Sequence, residues 1–250
     1  MKKILKNVLA MVIFFASGHI AAAQITVSAA ASLTNAFKEI AANFEEAHPE
    51  HHILLNFAGS GALLQQIAQG APVDVFASAD QATMDQAQEQ GLLTEGSRKD
   101  FVQNTLVVIT PVASVLKLTQ LSDLQHKSVQ RLAVSNPSSV PVGRYSKEAL
   151  LTHQLWDVLS DKVINTQNVR QSLDYVARDE VDAGFVYATD AILMADKVKV
   201  QFTVPLVRAI SYPLAITQDG DDKALSQQFV DYILSEDSQA VLTRYGFSQP

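Results

Sequence analysis

The sequence predicts an α/β protein of two lobes, each a mainly parallel sheet flanked by helices, with two crossing segments that join the lobes. Three observations predict this fold. Short apolar segments alternate with segments of helical apolar spacing along the chain. The alternation begins anew at residues 106–111, and one more strand pattern, at residues 212–217, follows the second series. We therefore expect the chain to pass from the first lobe to the second and to return.

The first series contains three strand segments, each followed by a helical segment. Apolar residues recur at helical spacing from Leu33 to Phe44, and His48-Pro49 ends this helix because the residue before a proline disfavours helical geometry. Gly91 ends the third helix, since glycine readily takes the left-handed conformation that follows many helices. The predicted strands are residues 25–27, 53–57 and 73–77, and the predicted helices are residues 33–44, a segment from Ala62 and residues 81–90.

The second series repeats the alternation and leads back to the first lobe. We divide the chain into a signal peptide (1–23), the first part of lobe 1 (24–105), lobe 2 (106–210) and a return segment of lobe 1 (211–250). The strand patterns lie at residues 106–111, 131–134, 163–164, 183–187 and 212–217, and the helical patterns near residues 146–151, at 169–179, from Asp190 and at 225–244.

The start of the chain has the pattern of an export signal. Three lysines precede an apolar run at residues 8–16, and Ala21-Ala22-Ala23 supplies the small residues of a cleavage site. The run is shorter than the roughly 20 residues that a membrane-spanning helix needs. Since the chain has no cysteine, a lipid-anchored cysteine and disulfides are excluded. We expect a mature protein that starts near Gln24, lies in the periplasm and is not inserted in the membrane.

The charge of the chain excludes some partners. Its 19 Lys and Arg against 26 Asp and Glu give a net charge of −7, and loss of residues 1–23 removes only positive charge. Nucleic-acid binding requires clustered basic residues, so we predict no nucleic-acid partner. The overall field does not attract anions either. Any anion site must therefore depend on local dipoles.

Four loops share one chemistry, because each follows a predicted strand and starts a helix. They carry Ser32, Ser60, Gly143 and Val169. The first backbone N–H groups of a helix have no intrahelical acceptor and carry partial positive charge, which favours anions. In open α/β sheets such loops gather at the carboxyl ends of the strands. A serine there is also an ordinary helix cap, so a single loop indicates only a helix start.

The amino-acid sequences of these loops are more specific evidence than their positions. The motifs occur in order along nearly the whole predicted mature chain: AAASLT (29–34), FAGSG (57–61), GAPVDVF (70–76), VPVG (140–143), GFVY (184–187) and YGF (245–247). Together they resemble the periplasmic molybdate-binding proteins of bacterial ABC importers, which have the type II periplasmic-binding-protein fold. The resemblance implies a non-enzymatic protein that captures molybdate or tungstate in the cleft and delivers it to the membrane permease of an ABC importer.

The resemblance also implies the contacts with the oxyanion. Ser32 and Ser60 fall on the two serines of the first lobe, Val142 and Val169 on the two backbone N–H donors of the second, and Tyr187 on its hydroxyl donor. No cofactor is implied, and molybdenum is present only within the bound oxyanion, without a direct protein ligand. We expect the protein to be a monomer.

The chain departs from the family pattern around two of these positions. Val142 stands where a smaller residue is usual, which predicts a tighter pocket wall. Gly59 and Gly61 flank Ser60 where serine is usual, which predicts a looser loop. Arg144 and Arg170 adjoin proposed contacts, and we expect them to face solvent rather than to clamp the anion.

Other interpretations have weaker support. His48, His51 and His52 lack the spaced carboxylate or cysteine partners of a metal site. Ser60 lies between two glycines, yet the G-x-S-x-G frame of a hydrolase is missing. A binding protein for another tetrahedral oxyanion, such as sulfate, is the first alternative, and a serine-dependent periplasmic hydrolase is the second.

Overall fold

The computed structural model describes residues 23–250. The segment predicted as a signal peptide lies outside these residues, except for Ala23. Eight α-helices are present in the described part of the chain: α1 (Thr34–Ala47), α2 (Ser60–Ala68), α3 (Gln81–Glu89), α4 (Pro141–Thr152), α5 (Val169–Ala177), α6 (Ala188–Leu193), α7 (Lys223–Leu234) and α8 (Glu236–Arg244). None of the helices within residues 23–250 is long and apolar enough to cross a membrane.

The strands form two five-stranded sheets. The first sheet has the order β2-β1-β3-β10-β4 and the second the order β7-β6-β8-β5-β9. Their strands are β1 (Ala23–Ala30), β2 (His51–Ala58), β3 (Val75–Ala77), β4 (Lys99–Asn104), β5 (Leu106–Pro111), β6 (Leu132–Ser135), β7 (Val163–Thr166), β8 (Ala183–Tyr187), β9 (Val198–Thr203) and β10 (Ile210–Ile216).

The two sheets have the same plan. In each, three strands pair in parallel, and the fourth and fifth positions pair antiparallel. Four of the five strands therefore run in one direction, and only β10 or β5 runs against them. We call the first sheet with α1, α2, α3, α7 and α8 the first lobe, and the second sheet with α4, α5 and α6 the second lobe. The predicted two-lobed α/β class is confirmed.

Apolar spacing explains how the helices attach to their sheets. In α1 the buried residues follow the helical repeat, and Phe44 at its end packs edge-on against Phe229 and Tyr232 of α7, with ring centroids 5.2 Å apart in both pairs. The helix ends at Ala47, just before His48-Pro49, as predicted. The carboxyl ends of the parallel strands are thereby held in place by helices packed on a buried apolar core.

Three sequence predictions of elements were incomplete. Strands β4 and β9 were not predicted, because both lie at sheet edges and mix polar with apolar residues. The single closing helix predicted for residues 225–244 was wrong. Ser235 is extended, with φ −66° and ψ 158°, and its side chain accepts from the N–H of Ser238, so α7 ends there and α8 begins.

Candidate functional site

The five residues predicted to contact a ligand surround one cavity between the lobes. Ser32 follows β1, Ser60 follows β2, Val142 and Val169 follow β6 and β7, and Tyr187 ends β8. The cavity is small, with a volume of about 10 Å³. The structure thus brings all five together at the carboxyl ends of parallel strands of both sheets. Their role in binding stays a prediction.

Four backbone N–H groups at this cavity have no acceptor. Ser32 lies in a 3₁₀ helix (Ala31–Leu33), Ser60 and Val169 are the first residues of α2 and α5, and Val142 is the second of α4. At these positions no intrahelical acceptor exists. Elsewhere in residues 23–250 these N–H groups have no hydrogen-bond acceptor either. The side chain of Asn168 caps α5 by accepting from Gln171, which leaves the N–H of Val169 free.

The three hydroxyl groups at the cavity are also able to donate. Ser60 Oγ accepts from the backbone N–H of Ala79 at 3.0 Å. Ser32 Oγ lies 2.9 Å from the hydroxyl of Tyr212. The Tyr187 hydroxyl is buried and has no hydrogen-bond partner among the described residues. A buried hydroxyl without a partner is costly, so the position of Tyr187 indicates a partner that the protein itself does not supply.

The cavity is polar without being charged. Within the described chain, no Asp, Glu, Lys, Arg or His lines it. Burial raises the pKa of Tyr187 well above its ordinary value, with a smaller contribution from nearby Tyr212, so the phenol remains a neutral donor. The starts of α2, α4 and α5 meet at the cavity, and their dipoles favour a negative ligand. The arrangement can therefore hold an anion by hydrogen bonds from neutral groups.

The expectation that Arg144 and Arg170 face solvent was wrong, because both connect the lobes. From α4, Arg144 donates to Asp80 at 2.7 Å and to Thr83 at 2.5 Å. From α5, Arg170 donates to the backbone carbonyl of Ser32 at 3.2 Å. Their side chains are only 26% and 23% exposed. Neither arginine lines the cavity.

Arg170 also forms an ion pair with a buried carboxylate of its own lobe. Its Nε lies 2.7 Å from Asp190 at the start of α6, and the side chain of Asp190 is fully buried. Burial raises the pKa of the Asp190 carboxyl to about 6, against the lowering effect of Arg170. The carboxylate is ionised at neutral pH and directs the guanidinium toward the first lobe, where it also donates to Asn35.

Gly61 permits close contact of the lobes rather than a loose loop. Its N–H donates to the carbonyl of Ser139 in the second lobe at 2.9 Å. A Cβ at Gly61 would lie 2.5 Å from the same oxygen, a distance at which the two atoms would clash. Gly59, before it, has an ordinary extended conformation with φ −63° and ψ 136°. The two glycines therefore allow the backbones of the two lobes to approach each other.

Sequence reasoning missed the residues behind the site. Tyr212 and Asn104, which lie at the two crossings between the lobes, were not named as site residues, although both crossings were predicted. Because they are distant in sequence from Ser32, only their packing brings them together. His48, His51 and His52 have no additional role in the cavity: within residues 23–250 no group of three or more His, Cys, Asp or Glu could hold a metal ion.

The sequence matches a known family along its length. The model of the bacterial extracellular solute-binding proteins matches residues 25–248. The chain belongs to this family. The likeness to molybdate-binding proteins inferred from the motifs is confirmed by its relatives.

Two curated relatives carry a ligand in their names. The molybdate-binding protein ModA of Escherichia coli (strain K12) is 39% identical over 231 residues, which cover 90% of this chain and 89% of that protein. The molybdate-binding protein ModA of Haemophilus influenzae is 34% identical over 232 residues, with 91% of each chain covered.

Solved structures give the same family fold. The periplasmic molybdate-binding protein of Azotobacter vinelandii superposes with a TM-score of 0.81 at 25% identity and covers 90% of this chain and 99% of its own. A sulfate-binding protein of Mycobacterium tuberculosis has a TM-score of 0.80 at 14% identity over 91% of this chain and 87% of its own. At that identity the likeness concerns the fold alone, so the choice of ligand must be argued from the site.

Proposed function

We propose that this protein captures molybdate or tungstate between its lobes in the periplasm and delivers it to the membrane permease of an ABC importer. One observation carries the proposal: seven neutral groups that are able to donate hydrogen bonds converge on an uncharged cavity. They are the N–H groups of Ser32, Ser60, Val142 and Val169 and the hydroxyls of Ser32, Ser60 and Tyr187. The names of the relatives support the same ligand. The export pattern of residues 1–23 supports the periplasmic location, and we propose that the protein acts as a monomer.

The donors supply affinity without a charged partner. A hydrogen bond to a charged group contributes about 1.5–3 kcal/mol, so seven give a gross sum on the order of 10–20 kcal/mol. Ordering the loops and bringing the lobes together consumes part of this sum. A net of roughly 8–12 kcal/mol corresponds to a dissociation constant between micromolar and nanomolar. Since the donors come from both lobes, the anion favours the closed arrangement, which the permease would recognise.

Selectivity follows from a site that offers donors only. Hydrogen phosphate would bury its own O–H group without an acceptor, which is penalised. Sulfate has no proton but is smaller than molybdate, so it cannot reach all seven donors at once. We expect molybdate and tungstate to bind at least about a hundredfold more tightly than sulfate, roughly 2.7 kcal/mol, and phosphate hardly at all.

A serine hydrolase is not favoured by the site. Ser60 Oγ accepts from the backbone N–H of Ala79, and no histidine lies among the residues that line the cavity in the described chain. A serine nucleophile requires a general base within hydrogen-bond reach. Ser60 therefore fits the role of a donor to an anion better than that of a nucleophile.

Calorimetric titration tests the proposal. The mature chain, from Gln24, is titrated with molybdate, tungstate, sulfate and phosphate. We expect one site per chain, with tight binding of the first two, weak binding of sulfate and negligible binding of phosphate. Phosphate binding comparable to that of molybdate, or no binding of any of the four, would contradict the proposal.

A further inference from the structure

A chain of hydrogen bonds runs from the crossing between the lobes to the first proposed donor. Asn104 ends β4, and its Nδ2 lies 2.9 Å from Thr189 Oγ1 of the second lobe and 3.2 Å from the Tyr212 hydroxyl. Tyr212 in turn lies 2.9 Å from Ser32 Oγ. Tyr212 is fully buried. The chain thus joins a residue at the hinge, a buried phenol and a serine of the cavity.

The backbone fixes the direction of this chain. The N–H of Thr105 lies 2.9 Å from Asn104 Oδ1. An N–H group can only donate, so the amide oxygen must face Thr105 and the amide nitrogen must face Thr189 and Tyr212. The amide nitrogen has two protons, one for each of these hydroxyl oxygens. The Tyr212 oxygen therefore accepts from Asn104.

The hydroxyl proton of Tyr212 then has one available acceptor. Among the described residues, Asn104 and Ser32 are its hydrogen-bond partners, and Asn104 is the donor of the first pair. Burial raises the pKa of Tyr212 well above its ordinary value, so the phenol keeps its proton. A buried O–H without an acceptor costs free energy. Tyr212 therefore donates to Ser32 Oγ, and the single proton of Ser32 points away from Tyr212.

We propose that Asn104 and Tyr212 are positioning residues that fix Ser32 as a hydrogen-bond donor and thereby exclude protonated oxyanions. This inference rests on the proposed function of the cavity. A serine hydroxyl can normally rotate and either donate or accept. Here its oxygen accepts from Tyr212, as the oxygen of Ser60 accepts from Ala79. Neither serine proton has an acceptor among the described residues once these bonds are made, so both protons are directed to the bound anion. The O–H of a bound hydrogen phosphate consequently faces donors at both serines.

Sulfate and hydrogen phosphate are a matched pair of probes, because both are tetrahedral dianions of similar size and only the second carries an O–H. The ratio of their affinities reports whether the site offers an acceptor. The two variants are Tyr212→Phe, which removes the donor to Ser32, and Asn104→Asp. In Asn104→Asp a carboxylate replaces the amide donor, so Tyr212 donates to it and Ser32 donates to Tyr212. A control, Asn56→Asp, makes the same change at a side chain that bonds Ser28 and Gln66 instead.

Affinities are measured by competition against molybdate, at a pH where phosphate is mainly hydrogen phosphate. We expect Tyr212→Phe and Asn104→Asp to lower the preference for sulfate over phosphate by roughly tenfold or more, the value of satisfying one buried O–H. Asn56→Asp should keep the parental preference. A structural loosening of the site would weaken both anions equally, so an unchanged ratio in either folded variant would overturn the inference.

The parent protein separates this inference from the proposed function. If the parent binds none of these anions, the proposed function fails. If the parent binds molybdate selectively while either folded variant keeps its sulfate preference, only the role of Asn104 and Tyr212 fails. Should Tyr212→Phe not fold, Asn104→Asp alone decides, because Asn104 is half-buried and its carboxylate has the same shape as the amide.

Discussion

The sheets of the two lobes share one pattern of parallel and antiparallel pairing, but the lobes present different chemistry at the cavity. The first lobe offers the backbone N–H groups and the hydroxyls of two serines, and each serine oxygen is hydrogen-bonded to a group behind it, Tyr212 or Ala79. The second lobe offers two backbone N–H groups of valines and one phenol without a protein partner. A common fold thus fixes where the loops meet, whereas the residues behind each loop determine what it can bind. The lobes must also be tested differently, since side-chain replacement removes donors only where the side chain is the donor.

The largest expected effects come from two glycines, one within a lobe and one between the lobes. A Cβ at Gly143 would lie 2.0 Å from the carbonyl of Ser135 in the same lobe, so Gly143→Ala should strongly destabilise the fold. At Gly61 the obstructed atom belongs to the other lobe, and opening the lobes relieves the contact. Gly61→Ala should keep the melting temperature of the parent protein and weaken the binding of molybdate by roughly 5- to 150-fold. Parental affinity in Gly61→Ala would show that binding does not need this contact.

Removing one hydroxyl from each lobe should separate binding from stability. Ser60→Ala and Tyr187→Phe each delete a donor to a dianion and should each weaken molybdate by about 1.5–3 kcal/mol. Ser60→Ala also leaves the N–H of Ala79 without its acceptor, so it should lower stability by about 1 kcal/mol. Tyr187→Phe should not lower stability, because its hydroxyl has no partner in the described chain. Calorimetry and thermal unfolding measure the two effects. If both variants bind like the parent, the assignment of these residues is wrong.

A backbone N–H donor of the second lobe can be removed only by substitution with proline. Val169 is the first residue of α5, where proline is tolerated, and Asn168 before it is extended, with φ −164° and ψ 171°. Val169→Pro removes the N–H and should weaken molybdate by about 1.5–3 kcal/mol, while circular dichroism shows a folded protein. Val169→Ala keeps the N–H and serves as the control. Parental affinity in a folded Val169→Pro protein would show that this N–H does not contact the anion.

The smallest expected effect concerns Arg144, one of the two arginines that connect the lobes. Arg144→Ala removes the contact with Asp80 and should weaken molybdate binding by about 0.5–1 kcal/mol, roughly two- to fivefold, because the guanidinium is partly exposed. Arg98→Ala is the matched control. Its side chain is 25% exposed and pairs with Asp85 inside the first lobe at 2.7 Å. Equal affinities of the two variants would indicate that Arg144 does not stabilise the closed arrangement.

The sequence was sufficient for the strands that carry the site, because their apolar runs are followed at once by helix starts. It was insufficient for β4 and β9, whose edge positions leave polar residues between apolar ones. The break at Ser235 was missed because apolar spacing continues on both sides of it.

Sequence motifs predicted the residues that line the cavity, but they did not predict the residues that pack behind them. Tyr212 reaches Ser32 across 180 positions of sequence, and Arg170 reaches the carbonyl of Ser32 across 138. Such contacts form because distant parts of the chain pack together, and a local sequence pattern does not predict that packing. The same cause explains the error at Arg144, whose side chain contacts Asp80 and Thr83 of the other lobe.

The central claim is that neutral donors from both lobes hold the oxyanion, and the position of the anion tests it most directly. A crystal of the protein with tungstate locates the metal by its anomalous scattering. We predict one heavy atom in the cavity, with its oxygens about 2.7–3.2 Å from the hydroxyls of Ser32, Ser60 and Tyr187 and the N–H groups of Val142 and Val169. A heavy atom bound by Arg144 or Arg170 instead, or placed outside the cavity, would contradict this account.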